Sequence, residues 1–198
     1  MSNAASHMQK GQEIDLMKVD PGLHRALIGL GWSVPQQQDG FPVDLDASAF
    51  LLNRENRVRY DTDFIFYNNL ESEGGSIKHL GDNTTGDGDG DDEKIEIDLD
   101  TLPFGVEKVS FTVTIHDAEE RQQNFGLVKD AYIRIVNLDT GVELARFDLS
   151  EDASGDNGFI FGELSREGAG WKFKAVGMGT AGGLYKLARD YSVNVAAP

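Results

Sequence analysis

Apolar and polar residues alternate with period two through most of the chain, the pattern of strands buried on one face. In Leu23–Trp32 (LHRALIGLGW), Ala26, Ile28, Leu30 and Trp32 share one face, and Gly29 and Gly31 lie opposite. The bare glycine side predicts a close approach by another backbone. In Val43–Leu52 (VDLDASAFLL), Val43, Leu45, Ala47, Ala49 and Leu51 share a face, and Asp44, Asp46 and Ser48 share the other. The same alternation predicts strands over Asp61–Asn69, Lys94–Leu99, Val109–Ile115, Ala131–Val136 and Glu143–Leu149. The last two flank Asp139-Thr-Gly141, a hairpin signal. Phe159–Leu164 and Trp171–Val176 predict a second hairpin around Arg166–Gly170. Gln36–Phe41 and Asn53–Asn56 carry turn chemistry, and polar Asp117–Gln123 predicts one or two helical turns. Leu184, Leu187, Ala188 and Tyr191 fall at i, i+3, i+4 and i+7, which predicts one short amphipathic helix.

Many half-polar strands, short turns and few helices predict a mainly β protein, an antiparallel β-sandwich of two packed sheets. Residues 1–7 read as a vector-derived remnant, with Ser-Asn-Ala and Ser-His-Met pieces typical of cloning scars, and residues 8–198 read as one domain.

One stretch departs from the alternation. Gly81-Asp-Asn-Thr-Thr-Gly-Asp-Gly-Asp-Gly-Asp-Asp-Glu93 holds six carboxylates, one amide and four glycines, and presents no apolar face. Its like charges repel unless a cation sits among them. Hard divalent cations take six to eight oxygens from carboxylates, amides and carbonyls, and glycine lets a backbone curl tightly enough to supply them. The competing reading is a solvated acidic loop. An EF-hand starting at Asp87 would put Asp89 and Asp91 correctly, but its sixth position is Asp92 instead of Gly and its twelfth is Asp98 instead of Glu. An RTX repeat needs tandem copies, and the sequence has one. Ligands from elsewhere are therefore expected. Asp44 and Asp46, two residues apart on one strand face, are either a solvent-facing edge or donors that meet the acidic loop. Asn68-Asn69 is either a turn or a pair of amide-oxygen donors.

Composition narrows the classes. Net charge is −16, from 34 acidic and 18 basic residues, which argues against sequence-independent nucleic-acid binding. With no cysteine there is no disulfide, thiolate metal site or thiol redox chemistry. No apolar run reaches the length of a membrane span and no secretory signal is visible, so a cytoplasmic location without direct membrane insertion is expected. His116-Asp117 could in isolation be a base and its orienting acid, but no Ser sits in a G-x-S-x-G context and no paired His spacing suggests zinc. Two rivals to a structural cation site are a two-metal phosphoester hydrolase, with Lys78 or Lys94 orienting substrate, and a calcium-dependent carbohydrate-binding module using Tyr67 and Trp32 as platforms.

Several motifs occur together in order: GLGW at Gly29–Trp32, DLDASAFLL at Asp44–Leu52, DFIFYNNL at Asp63–Leu70, the Gly81–Glu93 motif, and IHDAE at Ile115–Glu119. NFG at Asn124–Gly126, ELARFDLSED at Glu143–Asp152 and WKFKAVG at Trp171–Gly177 follow. This set closely resembles the TerD family of bacterial tellurite-resistance and stress-response proteins, over residues 9 to 195. Gln122 stands where many members have Gly and Thr84 is a variable position, and neither changes a carboxylate of the acidic motif. The resemblance implies a calcium-binding β-sandwich without established enzymatic activity, holding two Ca²⁺ ions. It further implies action with other Ter proteins and an integral-membrane Ter partner at the inner face of the membrane. The implied ligands are Asp44, Asp46, Asn68, Asn69, Asp82, Asn83, Asp87, Gly88, Asp89, Asp91, Asp92 and Glu93.

Overall fold

The structure, a computed structural model, describes residues 6–34, 43–81, 90–149 and 155–196. The period-two segments become strands whose apolar faces meet between two six-stranded sheets. The first sheet runs β1 (Ser6–Met8), β10 (Glu143–Asp148), β9 (Lys129–Asn137), β3 (Arg25–Ser33), β7 (Glu93–Asp98), β6 (Ile77–His79). The second runs β2 (Glu13–Asp15), β12 (Gly170–Thr180), β11 (Gly158–Glu167), β8 (Lys108–Ile115), β4 (Leu45–Leu52), β5 (Phe64–Ile65). All pairings between neighbouring strands are antiparallel except β1 with β10. The expected antiparallel sandwich is therefore what forms.

Inward residues of the first sheet, such as Ile28, Leu30, Ile95, Ile97, Ile133 and Ile135, meet Ala47, Leu51, Phe111, Val113 and Phe173 of the second in one continuous core. Each of the Ile, Leu, Val and Phe side chains contributes about 1.5–3 kcal/mol on burial. The second sheet is covered on its outer face too. There Phe50, Leu52, Phe64 and Ile160 pack under Leu187, Ala188 and Tyr191 of and beside the helix α2 (Gly183–Asp190). Phe50 and Phe64 stack with ring centroids 4.5 Å apart, and Tyr191 Oη lies 2.9 Å from Ser110 Oγ. The outer face of β4 is largely buried and so is not the solvent-facing edge that was one of its two expected readings.

Three stretches depart from the alternation-based expectation. Asp61–Asn69 is mostly not a strand: Asp61–Asp63 is a 3₁₀ turn, and only Phe64 and Ile65 pair with β4. The cause is Asp63, buried and held by the backbone N–H, Nε and Nη2 of Arg59, which bends the chain before a strand can run. Asp117–Gln123 is a set of turns closed by Arg121 N–H to Asp117 O, with left-handed Asp117 and Gln122 preventing helical continuation. Strand β1 uses Ser6 and His7, within the stretch read as a remnant, and buries Met8. β6, β2 and the single turn α1 (Leu16–Val19, capped by Asp15) are too short to show a period. The Gln36–Phe41 turn lies outside the described residues.

Candidate functional site

The acidic stretch connects β6 to β7, and its C-terminal stem, Asp91–Glu93, sends three successive carboxylates in three directions. Asp91 lies on the outer face of the first sheet, its side chain fully enclosed. Arg134 grips it with two prongs, Nε 2.7 Å from Oδ1 and Nη2 2.9 Å from Oδ2, and Tyr132 Oη donates to Oδ1 at 2.9 Å. Arg134 Nη1 also reaches Glu143 Oε2 at 3.0 Å. Both grips require bare strand backbone beneath them. A Cβ on Gly29 would overlap the Asp91 carboxylate, and one on Gly31 would overlap the Tyr132 ring. The glycines of β3 thus admit side chains, where a neighbouring backbone was expected. The bond from Asp91 raises the pKa of Arg134 further. Burial, then the same carboxylate, pushes Tyr132 up to about 12.

Asp92 folds back onto the end of β3. Its N–H donates to Leu30 O at 2.8 Å, and its Oδ2 accepts from Trp32 N–H at 2.8 Å. Burial raises its pKa, the Trp32 N–H works against that, and neighbouring Asp91 adds to it. Glu93 points between the sheets, wholly buried, with Oε2 3.1 Å from His79 Nε2. His79 in turn accepts Gly81 N–H at Nδ1 (3.2 Å), so the neutral ring carries its proton on Nε2, which also faces Ala47 O at 3.2 Å. One imidazole therefore touches the residue that enters the acidic stretch and a residue that leaves it.

The other expected donors are distributed as follows. Asp82, Asn83, Asp87, Gly88 and Asp89 lie outside the described residues. Asn68 and Asn69 complete a tight turn closed by Asn69 N–H to Phe66 O, and Asn69 Nδ2 donates to Phe64 O at 2.6 Å. Asp44 O accepts the His116 N–H, and buried Asp46 has Oδ2 3.4 Å from His116 Nδ1 on the outer face of the second sheet. Asp46 and Asp91 thus sit on outer faces of different sheets, about 10 Å apart as stacked layers, too far to share an ion whose oxygens lie about 2.3–2.6 Å away. Among the described residues no group of three His, Asp or Glu converges as a metal site. The donor chemistry nonetheless suits calcium: the acidic stretch offers only oxygen donors, and its stem is held in place by Arg134, Trp32 and His79.

The platforms and cations needed by the rival readings are differently employed. Trp32 is 8% exposed, and Tyr67 lies beside His116 on the other sheet. Lys78 Nζ is 3.3 Å from Glu71. Sequence reasoning missed Tyr132, Arg134 and His79. The signal for the first two was the Gly29/Gly31 pair, which leaves room for a large polar residue from a neighbouring strand.

The TerD domain profile matches residues 4–191. The chain belongs to the TerD family. It is 52% identical over 189 residues to "Tellurium resistance protein TerD" of an Alcaligenes species, covering 96% of this chain and 98% of that one. It is 48% identical over 188 residues to "General stress protein 16U" of Bacillus subtilis, covering 95% and 97%. A crystal structure of a homologue of telluride resistance protein (TerD) from Streptomyces coelicolor superposes with a TM-score of 0.69 at 24% identity, covering 84% of this chain and 96% of that one, which shows a shared fold. Among the described residues no helix is long and apolar enough to cross a membrane.

Proposed function

We propose that this TerD-family chain is a calcium-binding, non-enzymatic protein of tellurium resistance and stress response that acts through protein partners. Relatives named for tellurium resistance and general stress support the cellular role. The calcium reading rests on one observation above the rest: the acidic stretch is tethered at both ends by His79, through Gly81 N–H and Glu93. A loop of like charges held shut at its base concentrates carboxylates that only a cation can reconcile. Calcium would be held chiefly by Asp87, Asp89 and their neighbours, with Asp92 at the stem. Bound there, it neutralises the loop and fixes its outline as a surface for partners. Asp91 contributes from behind, by bracing the stem against β9.

Three experiments test this. Calorimetric titration of chelator-treated protein should give saturable calcium binding, and cells lacking the endogenous protein should regain tellurite tolerance from the wild type and not from Asp87→Ala/Asp89→Ala. Tolerance restored equally by a variant that binds no calcium overturns the metal's role. Catalytic tellurite reduction by the purified, cofactor-free protein overturns the non-enzymatic reading, since no thiol is present to supply electrons.

A further inference from the structure

A cleft of about 840 Å³ opens on the outer face of the second sheet, between the β4–β8 pair and the start of α2. Its walls are largely apolar and aromatic: Ile115, Leu184, Tyr67 and Tyr185. Asp46 carries a carboxylate to its floor and is itself only 6% exposed. His116 stands beside Asp46, and its other nitrogen lies 3.5 Å from Asp117 Oδ2. Further carboxylates, Glu119 and Glu120, ring the mouth. The cations at the rim are Lys186, paired with Asp190 at 2.5 Å, and Arg189. Tyr67 stands edge-on to His116, ring centroids 6.2 Å apart.

We propose that this cleft binds a flexible aliphatic polyamine. Pockets recognise ligands through apolar walls that fix shape and a few polar groups that fix orientation. Here the walls suit methylene chains, and tyrosine faces attract ammonium groups. A carboxylate at the floor and others spread along the mouth match a ligand with positive charges separated by hydrocarbon. A compact metal ion would use neither the aromatic walls nor the volume. Asp91, held by Arg134 on the outer face of the first sheet, takes no part in this cleft, whose Asp46 lies on the outer face of the second. The proposal stands whether or not the chain binds calcium.

The test is calorimetric titration of the full chain with spermidine in excess EGTA, with 1,8-octanediol as the neutral control. Saturable one-to-one binding of spermidine, and none of the diol, is expected. Asp46→Asn should weaken it at least about tenfold. Glu120→Lys, an exposed change that leaves packing intact, should weaken it several-fold and keeps the test valid if Asp46→Asn fails to fold. Glu55→Lys, at the far end of β4, should leave binding unchanged. Equal weakening by Glu55→Lys would mean general attraction to an acidic protein and overturns the proposal. So does binding indifferent to both cleft variants. Displacement of spermidine by stoichiometric calcium, with Asp46→Asn losing calcium binding, would make this a metal site and also overturns it.

Discussion

The carboxylate of Asp91 rests against the bare backbone of Gly29, in the space where any other residue would place its Cβ. From there it receives both prongs of Arg134 and the hydroxyl of Tyr132. In the fold, Asp91 anchors the acidic stretch to strands β3 and β9.

Gly29→Ala should therefore destabilise the protein by about 2–4 kcal/mol, through overpacking and displacement of a buried ion pair. Gly22→Ala is the control, since a Cβ there meets Asp20 Oδ1 at an ordinary 3.5 Å. Urea unfolding of both variants measures the difference. Equal midpoints would mean the carboxylate relocates without cost.

Calcium should bind in preference to magnesium. Carboxylates on a glycine-rich stretch can wrap seven or eight oxygens around a large ion, whereas magnesium demands a compact octahedron and keeps its waters. Asp89→Ala should lower calcium affinity strongly. Asp61→Ala should leave it unchanged while costing some stability, because Asp61 Oδ1 accepts the Asn194 N–H at 2.9 Å. Calorimetry with each ion decides it, and equal heats for the two ions would refute the selectivity.

Alkaline pH should expose the helix contact. Burial pushes Tyr191 up to about 12, against an unfolded value near 10, with the Ser110 hydroxyl pulling the other way. A folded pKa raised above the unfolded one gives stability fully present below pH 10 and lost as pH rises toward 12. The loss from this one group is on the order of 2–3 kcal/mol. Tyr191→Phe should be about 1 kcal/mol less stable at pH 7, for the lost bond to Ser110, and should show a flatter decline between pH 10 and 12. Denaturant midpoints across that range measure it; parallel curves for both proteins would contradict it.

The fold was legible wherever a strand had one apolar and one polar face. β7 and β12 bury alternate residues, since period two survives a tertiary context that buries a single face, and β3, β4 and β8 were legible from their sequence alternation although most of both their faces is buried. β5 was obscured because the Arg59–Asp63 pair is a contact between residues four apart, with no periodic signature. The acidic stretch was legible as chemistry, but the geometry of its stem was not. Nothing in Asp91-Asp92-Glu93 says that the first will meet an arginine, the second a backbone N–H and the third a histidine. Those partners come from β9, β3 and β6, and only the register of the sheet assigns them. Likewise, period two placed Asp44 and Asp46 on one face but could not say that α2 would cover much of it.

Calcium, if it fills the acidic stretch, should rigidify a definable part of the sandwich and spare the rest. Like charges crowd the sequence from Asp87 to Asp92, and a cation offsets their repulsion. Binding to the native state alone adds about 2.7 kcal/mol per site when free calcium is 100 times the dissociation constant. For a domain of this size that corresponds to a rise in melting temperature of roughly 5–10 °C per site. The path of protection follows the stem. Trp32 N–H, which donates to Asp92 Oδ2, and Gly81 N–H, which donates to His79, should exchange more slowly with calcium present. Amides around Asp46 should change less, because its carboxylate lies on the outer face of the other sheet and His79 reaches only the neighbouring Ala47 O. Hydrogen exchange with and without calcium measures both regions at once. Protection at Asp46 equal to that at Trp32 would mean that one ion ties the two sheets together, and the separation of the faces would have to be abandoned.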